Sequence, residues 1–480
     1  MSRPGLRSPG PNDPAAQNDA PPNGAARNGA ARNGPARVPW RAVFGGSVGN
    51  LVEWYDWFVY ASFATYFASA FFPKGNATAQ LLNTAGIFAV GFFMRPVGGW
   101  LLGRFADRRG RKAALTLTVT LMSGSALLIA VAPTYGSVGY FGAVVLLVAR
   151  LMQGLSVGGE YAASSTYLTE ATPPGRRGLA SSFQYVSMTA GQLIGLGLQI
   201  VLQRTMSEDA LKSYGWRIPF VVGALAAAVI FYLRRRLLET EAFTEETGRE
   251  GAPAGTDGGA GAPVRERGTV RELLRHRREA ALVIALTMGG TLAYYTYTTY
   301  LTKYLSNTAG LPKSTASLVS FWALLVFALL QPLAGALSDR IGRRPLLMAF
   351  GVGGTIGTVP LMTALGHASG FWSAFALMLA GLVVVTGYTS INAVVKAELF
   401  PTHVRALGVA LPYAISNALF GGTAEYVALW FKKAGAESGF FWYVAACAAV
   451  SLIVYVRMRE TRDTAMSRRE RAAEATPARV

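Results

Sequence analysis

Twelve long apolar stretches divide this chain, beginning near residues 43, 82, 113, 138, 180, 216, 279, 315, 345, 372, 407 and 438. Each is long enough, at 1.5 Å per helical residue, to cross a hydrocarbon core of about 30 Å. Short charged segments separate them, so the pattern predicts an all-α membrane protein with twelve transmembrane helices. The widest break lies at 234–278, where charged residues flank a Gly/Ala/Pro-rich segment at 248–263. Six stretches precede it and six follow. The organisation expected is two six-helix bundles, 41–233 and 279–458, joined by a linker at 234–278 and flanked by tails at 1–40 and 459–480. The first tail is rich in Pro, Gly, Asn, Ala and Arg and repeats Asn-Gly-Ala-Ala-Arg at 23–27 and 28–32. Nothing in it can build a core, and it is expected to be disordered. It also lacks the apolar stretch and cleavage site of a signal peptide.

Two charged segments repeat between apolar runs. Gly103-Arg104-Phe105-Ala106-Asp107-Arg108-Arg109-Gly110-Arg111-Lys112 and Gly335-Ala336-Leu337-Ser338-Asp339-Arg340-Ile341-Gly342-Arg343-Arg344 share one spacing of glycine, aspartate and arginine, 232 positions apart. A second set, Glu170, Pro173 and Arg177, is matched by Glu398, Pro401 and Arg405 at an offset of 228. Six helices, an even number, lie between copies, so the halves have one orientation. They read as parallel repeats about an axis along the membrane normal, with a substrate held between them near mid-bilayer.

Composition agrees with a lipid environment: 51% of residues are hydrophobic and only 15% charged, against about 25% charged in a soluble domain. A net charge of +19 would suit nucleic acid in a soluble protein, but its placement argues otherwise. The basic residues crowd the first tail, the hairpins at 104–112, 176–177 and 340–344, the 234–278 segment and the tail after 457. With twelve spans, all of these fall on one side. The other side holds little more than Lys74, Arg204, Lys212, Arg217, Lys313, Lys432 and Lys433. That asymmetry is the positive-inside rule; it predicts both termini in the cytoplasm and no nucleic-acid partner. Arginine outnumbers lysine 37 to 8, which fits a GC-rich bacterial genome and so a multi-pass protein of the bacterial inner membrane. Cys447, the only cysteine, excludes an intrachain disulfide.

The paired hairpins resemble the signature of the major facilitator superfamily. Residues 41 to 458 further resemble its metabolite:H+ symporter branch. The likeness rests on Gly49-Asn50-Leu51-Val52-Glu53-Trp54, Phe93-Met94-Arg95-Pro96-Val97-Gly98-Gly99-Trp100, Arg150-Leu151-Met152-Gln153-Gly154-Leu155-Ser156-Val157-Gly158-Gly159-Glu160-Tyr161 and Gly215-Trp216-Arg217-Ile218-Pro219-Phe220. Lys396-Ala397-Glu398-Leu399-Phe400-Pro401 and Val404-Arg405-Ala406-Leu407-Gly408-Val409 add to it, and Gly421-Gly422-Thr423-Ala424-Glu425-Tyr426-Val427-Ala428-Leu429 looks very like the 2-oxoglutarate (α-ketoglutarate) permeases of that branch. Tyr55 and Trp57 stand where phenylalanines are usual there, a change that could shift preference among dicarboxylates. The resemblance implies a monomeric secondary transporter without cofactor or metal, carrying a dicarboxylate with protons into the cytoplasm by alternating access. Members of the branch also carry citrate, shikimate, betaine and proline.

An ionisable side chain at the centre of a span costs about 2.5–3.5 kcal/mol on insertion scales, so each needs a reason. Arg95, well inside the second span, either clamps a substrate carboxylate with two parallel hydrogen bonds or closes a structural ion pair; the resemblance favours substrate. Lys303 in the seventh span follows Thr296, Thr299 and Tyr300 at helical spacings, which predicts one polar face for the four. They are candidates for substrate binding, the alternative being a lysine that reaches up to the headgroups. Glu53 and Asp56 share a face of the first span and cannot easily both ionise. One of them is suited to carry a coupled proton, unless Asp56 simply pairs with Arg95 or Arg150. Arg150 and Glu160 bracket Gly154, Gly158 and Gly159 and are candidates for proton coupling; the resemblance ties such an arginine to proton transfer, the alternative being an ion pair. Glu425 is a weaker coupling candidate, and Lys396 and Glu398 fit a gate. Asp107 and Asp339 can cap a neighbouring helix and pair with Arg111 and Arg343, which would hold the cytoplasmic side shut.

Two other classes compete. An enzyme would need a catalytic cluster, yet His276, His367 and His403 are dispersed and no metal-ligand spacing appears. Gly351-Val352-Gly353-Gly354 lies within a span, where glycine is ordinary. A membrane sensor that binds without transporting is the remaining alternative.

Overall fold

The computed structural model describes residues 40–73, 75–109, 111–158, 172, 174–229, 232, 276–400 and 405–462. Among these, the side chains of 40–49, 103, 106–108, 111–115, 174 and 405–406 lie outside the description. Lipid offers backbone amides no partner, so spans must bond internally, as helices or closed barrels. The described residues form helices and no strand.

Six long helices make the first bundle: α1 (Trp40–Phe71), α2 (Ala77–Arg109), α3 (Arg111–Ala130), α4 (Phe141–Val157), α5 (Arg177–Thr205) and α6 (Gly215–Val229). The second bundle contains α7 (Arg277–Asn307), α8 (Lys313–Ile341), α9 (Arg344–Gly366), α10 (Phe371–Leu399), α11 (residues 405–433) and α12 (Glu437–Arg457). Every helix begins within five residues of the apolar run that predicts it. The bundles meet along two seams, α5 against α8 and α2 against α11. A shift of six helices turns one seam into the other, as parallel repeats require.

The outer face is apolar, and an otherwise apolar interior encloses several charged and polar side chains. Trp372, Ile356 and Leu333 are 77%, 72% and 67% exposed, whereas Asp56, Arg150, Lys303 and Glu425 are buried. That inversion suits a lipid surround, since an apolar belt of this size would not persist in water.

Two local features position the interior. Glycines bring α2 and α4 to backbone contact: a Cβ on Gly98 would strike the Leu155 backbone, and one on Gly154 would meet Gly91 and lie 2.9 Å from Met94 Cβ. Two helices also depart from α geometry. α7 passes through a π-helical segment at Thr296–Tyr300, and α11 through another at Asn417–Gly422. Each such segment widens a turn and rotates every side chain beyond it; such bulges are frequent at functional sites.

The glycine seam generates a test. Gly154→Leu should separate α2 from α4 at a cost of about 1–3 kcal/mol, the usual range for overpacking. A lower melting temperature in detergent is the expected result, and an unchanged one would show that the seam has room to spare.

Candidate functional site

A small cavity of about 20 Å³, room for a water molecule, lies between the bundles, walled by α1, α5, α7 and α8. Its polar lining includes Gln192, Gln199, Thr299, Thr302, Lys303 and Ser317. It runs from mid-membrane toward the α7–α8 connection, the side away from the charged hairpins. Gln192 donates to the Thr298 carbonyl at 2.6 Å, and Gln199 and Gln203 reach Ser317 at 3.3 and 3.2 Å. Side-chain amides therefore link α5 to α7 and α8 along the wall.

Lys303 is 4% exposed, too buried for a lysine reaching to headgroups, and its ammonium bonds the carboxylate of Glu425, also 4% exposed. Of the stripe expected along α7, only Thr299 joins Lys303 in the cavity wall. Thr296 turns its hydroxyl back to the Leu292 carbonyl (2.8 Å), and Tyr300 donates to Glu437 of α12 at 3.0 Å. The physical reason is the π-helical segment: spacings of three, four and seven align residues on an α-helix, and 296–300 is not one. Lys303 and Glu425 each follow the end of a π-helical segment by three residues.

Arg95 is buried among three rings, 4.0 Å from the centroid of Phe92, 4.1 Å from Trp57 and 5.0 Å from Trp54. Its Nε and Nη2 have no hydrogen-bond partner. Pro96 follows it within α2. Arg95 does not line the cavity; an aromatic layer made by Trp54, Phe58, Phe92 and Tyr295, with centroids 5.3 to 6.4 Å apart, stands between. Asp56 pairs through a relay: Gln153 donates to Asp56 and accepts from Arg150. Arg150 lies over Trp57 and Tyr60, 4.1 and 4.2 Å from their centroids. Glu53 is buried on the same helix and takes part in interactions of its own. Glu160 falls outside the described residues.

On the hairpin side, Asp339 of α8 accepts from the Gly178 and Leu179 amides at 2.8 and 2.9 Å, capping α5 of the other bundle. Arg343 donates to Asp339 and to Ser338, both at 2.7 Å, and lies 3.7 Å from Glu398. Gly178 and Gly335 let the helices touch, each position lying 2.5 Å from the other's carbonyl oxygen once a Cβ is built. The side chains of Asp107 and Arg111 fall outside the described residues. Lys396 is fully buried on α10, 3.5 Å from the Tyr413 centroid.

On the opposite side, Glu208 in the α5–α6 connection bonds Lys313 of α8 at 2.7 Å and Lys212 at 2.9 Å. Hydrogen bonds from Lys313 and Lys212 hold its carboxyl down at about 2. The sequence singles out none of Gln153, Gln192, Gln199 and Lys313 as a site residue. The signal available was glutamine within apolar runs, where an amide needs a partner as much as a charge does.

The spacing Gly-x-Ser-x-Gly, which in hydrolases exposes a nucleophile on a strand-to-helix turn, does occur at 45–49 and 154–158. Here both lie in or at the end of membrane helices, and Ser156 donates to the Thr118 carbonyl at 2.9 Å. Among the described residues no cluster could hold a metal ion.

Two parallel six-helix bundles around a polar cavity, with buried ions beside it and a latch across one end, define a secondary transporter rather than an enzyme. The sequence matches the family described as sugar (and other) transporters over residues 42–471. It is 49% identical over 413 residues to the alpha-ketoglutarate permease of Escherichia coli (strain K12), covering 86% of this chain and 92% of that one. It is 32% identical to the citrate-proton symporter of Salmonella typhi (87% and 94% covered) and 30% to the proline/betaine transporter of E. coli K12 (88% and 83%). In structure it is similar to the proton:xylose symporter XylE bound to 6-bromo-6-deoxy-D-glucose, with a TM-score of 0.70, 17% identity and 90% and 98% of the chains covered. A partially occluded inward-open form of XylE from E. coli gives 0.66, at 18% identity and 88% and 99% coverage. The chain belongs to the sugar (and other) transporter family of the major facilitator superfamily.

The Glu208 bridge has a pH signature. Its carboxyl sits below the ordinary 4.5, so the bridge contributes fully above about 4.5 and is lost as pH falls through about 2. Spin labels at Asp209 and Ser314 should keep one distance from pH 7 to about 4.5 and broaden toward about 2. Glu208→Gln should broaden it already at pH 7; an unchanged distribution would show that the bridge does not hold the bundles together.

Proposed function

We propose that this transporter imports a dicarboxylate, 2-oxoglutarate foremost, together with protons. The observation that carries the substrate class is Lys303: an ammonium buried in the cavity wall and engaged with a carboxylate. The alpha-ketoglutarate permease of E. coli, 49% identical, supports the choice among dicarboxylates. Lys303 and Thr299 would take one end of the substrate. Arg95, one aromatic layer away and with donors unspent, would take the other once that layer parts. Thr296 and Tyr300 would shape α7 from behind. The positive-inside bias supports cytoplasmic termini, with the hairpin side inward and the cavity reached from outside.

Asp56 is the proton carrier we infer for the first bundle, its relay through Gln153 to Arg150 giving the carboxylate an exchangeable partner. Glu53 and Glu160 would assist. The cap of Asp339 on α5, with Arg343 and Glu398, would hold the cytoplasmic side shut. The sequence repeat supports the same task for Asp107 and Arg111 on α11, with Lys396 as a neighbouring gate residue. Residues 234–278 would tether the bundles, and the protein would act as a monomer.

Energetics require protons. A dianion entering a cell with a negative interior works against about 2.3 kcal/mol per charge per 100 mV, about 4.6 in all. Two protons cancel that, and a third makes the potential favourable.

The test is uptake of labelled 2-oxoglutarate into proteoliposomes, with and without an inward proton gradient, competed by succinate, citrate, shikimate and betaine. Gradient-driven accumulation blocked by unlabelled 2-oxoglutarate but not by betaine is expected; no accumulation by inserted protein would sink the substrate. Arg95→Ala should reduce uptake to background while the protein remains in the membrane. Uptake at the wild-type rate would remove Arg95 from the site.

A further inference from the structure

The Lys303–Glu425 pair joins two helices of the same bundle, and only one partner faces the cavity. Lys303 lines it, whereas Glu425 is reached from α11 behind. An ammonium has three donors, so a substrate carboxylate arriving through the cavity meets Lys303 before Glu425. Two carboxylates on one buried ammonium would leave an uncompensated negative charge in low dielectric, which a buried site resists. Protonating Glu425 removes that charge. Both residues are aimed by a π-helical segment ending three positions earlier. This is an expensive geometry for a pair that only holds helices together.

We propose that Glu425 is an internal stand-in for the substrate carboxylate on Lys303, and that the two exchange with uptake of one proton by Glu425. The inference rests on the dicarboxylate reading above. The step balances without electron transfer. A proton joins the Glu425 carboxylate, the ammonium–Glu425 contact breaks, and an ammonium–substrate contact forms. Release to the cytoplasm reverses it, and the returning Glu425 sheds its proton inward. One of the two protons a dianion needs is thereby tied to a particular carboxyl.

The groups around Glu425 permit this. Tyr60 of α1 and Tyr300 of α7 are within electrostatic reach. Tyr60 donates to the Thr84 carbonyl at 3.0 Å, and Tyr300 donates to Glu437 of α12 at 3.0 Å. Glu437 also accepts from Thr308 at 2.8 Å and lies 3.7 Å from Lys432. The membrane charge of α2, Arg95, is enclosed by its own rings. Lys303 is thus the cation that bonds Glu425 directly.

The experiment uses the full chain in lightly buffered detergent. Proton uptake on adding 2-oxoglutarate is followed with a pH indicator, and infrared difference spectra report any new protonated carboxyl. The wild type should take up protons, gain a carboxylic acid band, and bind about tenfold more tightly per pH unit of acidification for each proton coupled. Glu425→Gln should take up one proton fewer and lose the band, whereas Glu425→Asp should keep both with the band displaced. The double variant Lys303→Gln/Glu425→Gln, which buries no lone charge, should fold yet bind far more weakly. Wild-type proton uptake by Glu425→Gln, or a wild type that binds without a new carboxylic acid band, would overturn the proposal while leaving the dicarboxylate reading intact. The infrared arm needs no variant, so a Glu425→Gln that fails to fold does not protect the idea. A wild type that binds none of the dicarboxylates would overturn both.

Discussion

An ionised group inside a bilayer must find its counter-charge in the protein, because the surrounding hydrocarbon supplies neither water nor ions. Everything of interest in this molecule depends on that constraint. Asp56 meets Gln153 and through it Arg150; Lys303 meets Glu425; Asp339 meets two backbone amides and Arg343. Arg95 meets aromatic faces in place of a carboxylate, an arrangement in which the ring quadrupole offsets part of the charge and leaves the directional N–H donors unspent. Each arrangement satisfies the charge in one conformation and can be traded for another, which is what a transporter requires of its buried ions.

The two bundles divide the charges unevenly. The first carries its coupling candidate in a hydrogen-bonded relay with an amide in the middle, and the second carries a direct ion pair. Tyr60 lies within electrostatic reach of both Arg150 and Glu425, so α1 stands where the two systems meet. The repeat is plain in the two seams and in the hairpin sequences, whereas the buried charges of the two halves are arranged differently.

That division also explains what could be read in the sequence. Helix number, the halves and the Asp339 cap follow from apolar length, charge placement and a repeated spacing, all local properties. Tyr300 and Thr296 were misplaced because a π-helical segment breaks the periodicity on which face assignments rest, and no residue in Thr296–Tyr300 announces it. Gln153 stands out as an amide within an apolar run, but nothing local says that it links Asp56 to Arg150. The partnership of Lys303 with Glu425 spans 122 residues, and no spacing rule connects positions that distant. Arg95 was legible as a buried cation but its cage of Trp54, Trp57 and Phe92 was not, since three rings from two helices converge only in the fold.

The two ends of the cavity are closed by contacts of different kinds, and the difference has a mechanical consequence. Near the hairpins the bundles are joined by two backbone amides donating to the Asp339 carboxylate and by closely apposed glycines, a buried contact. Near the α7–α8 connection they are joined by Glu208 and Lys313, 54% and 35% exposed, a pair that water can replace at little cost, since exposed ion pairs contribute about 0–1 kcal/mol. The weaker closure should yield first. On the proposed reading this arrangement would open first toward the α7–α8 connection, the hairpin contact breaking only when binding free energy is available to oppose it. If Lys303 and Arg95 bind the substrate as proposed, neutralising their charges would supply that free energy, gained once substrate and proton are both in place.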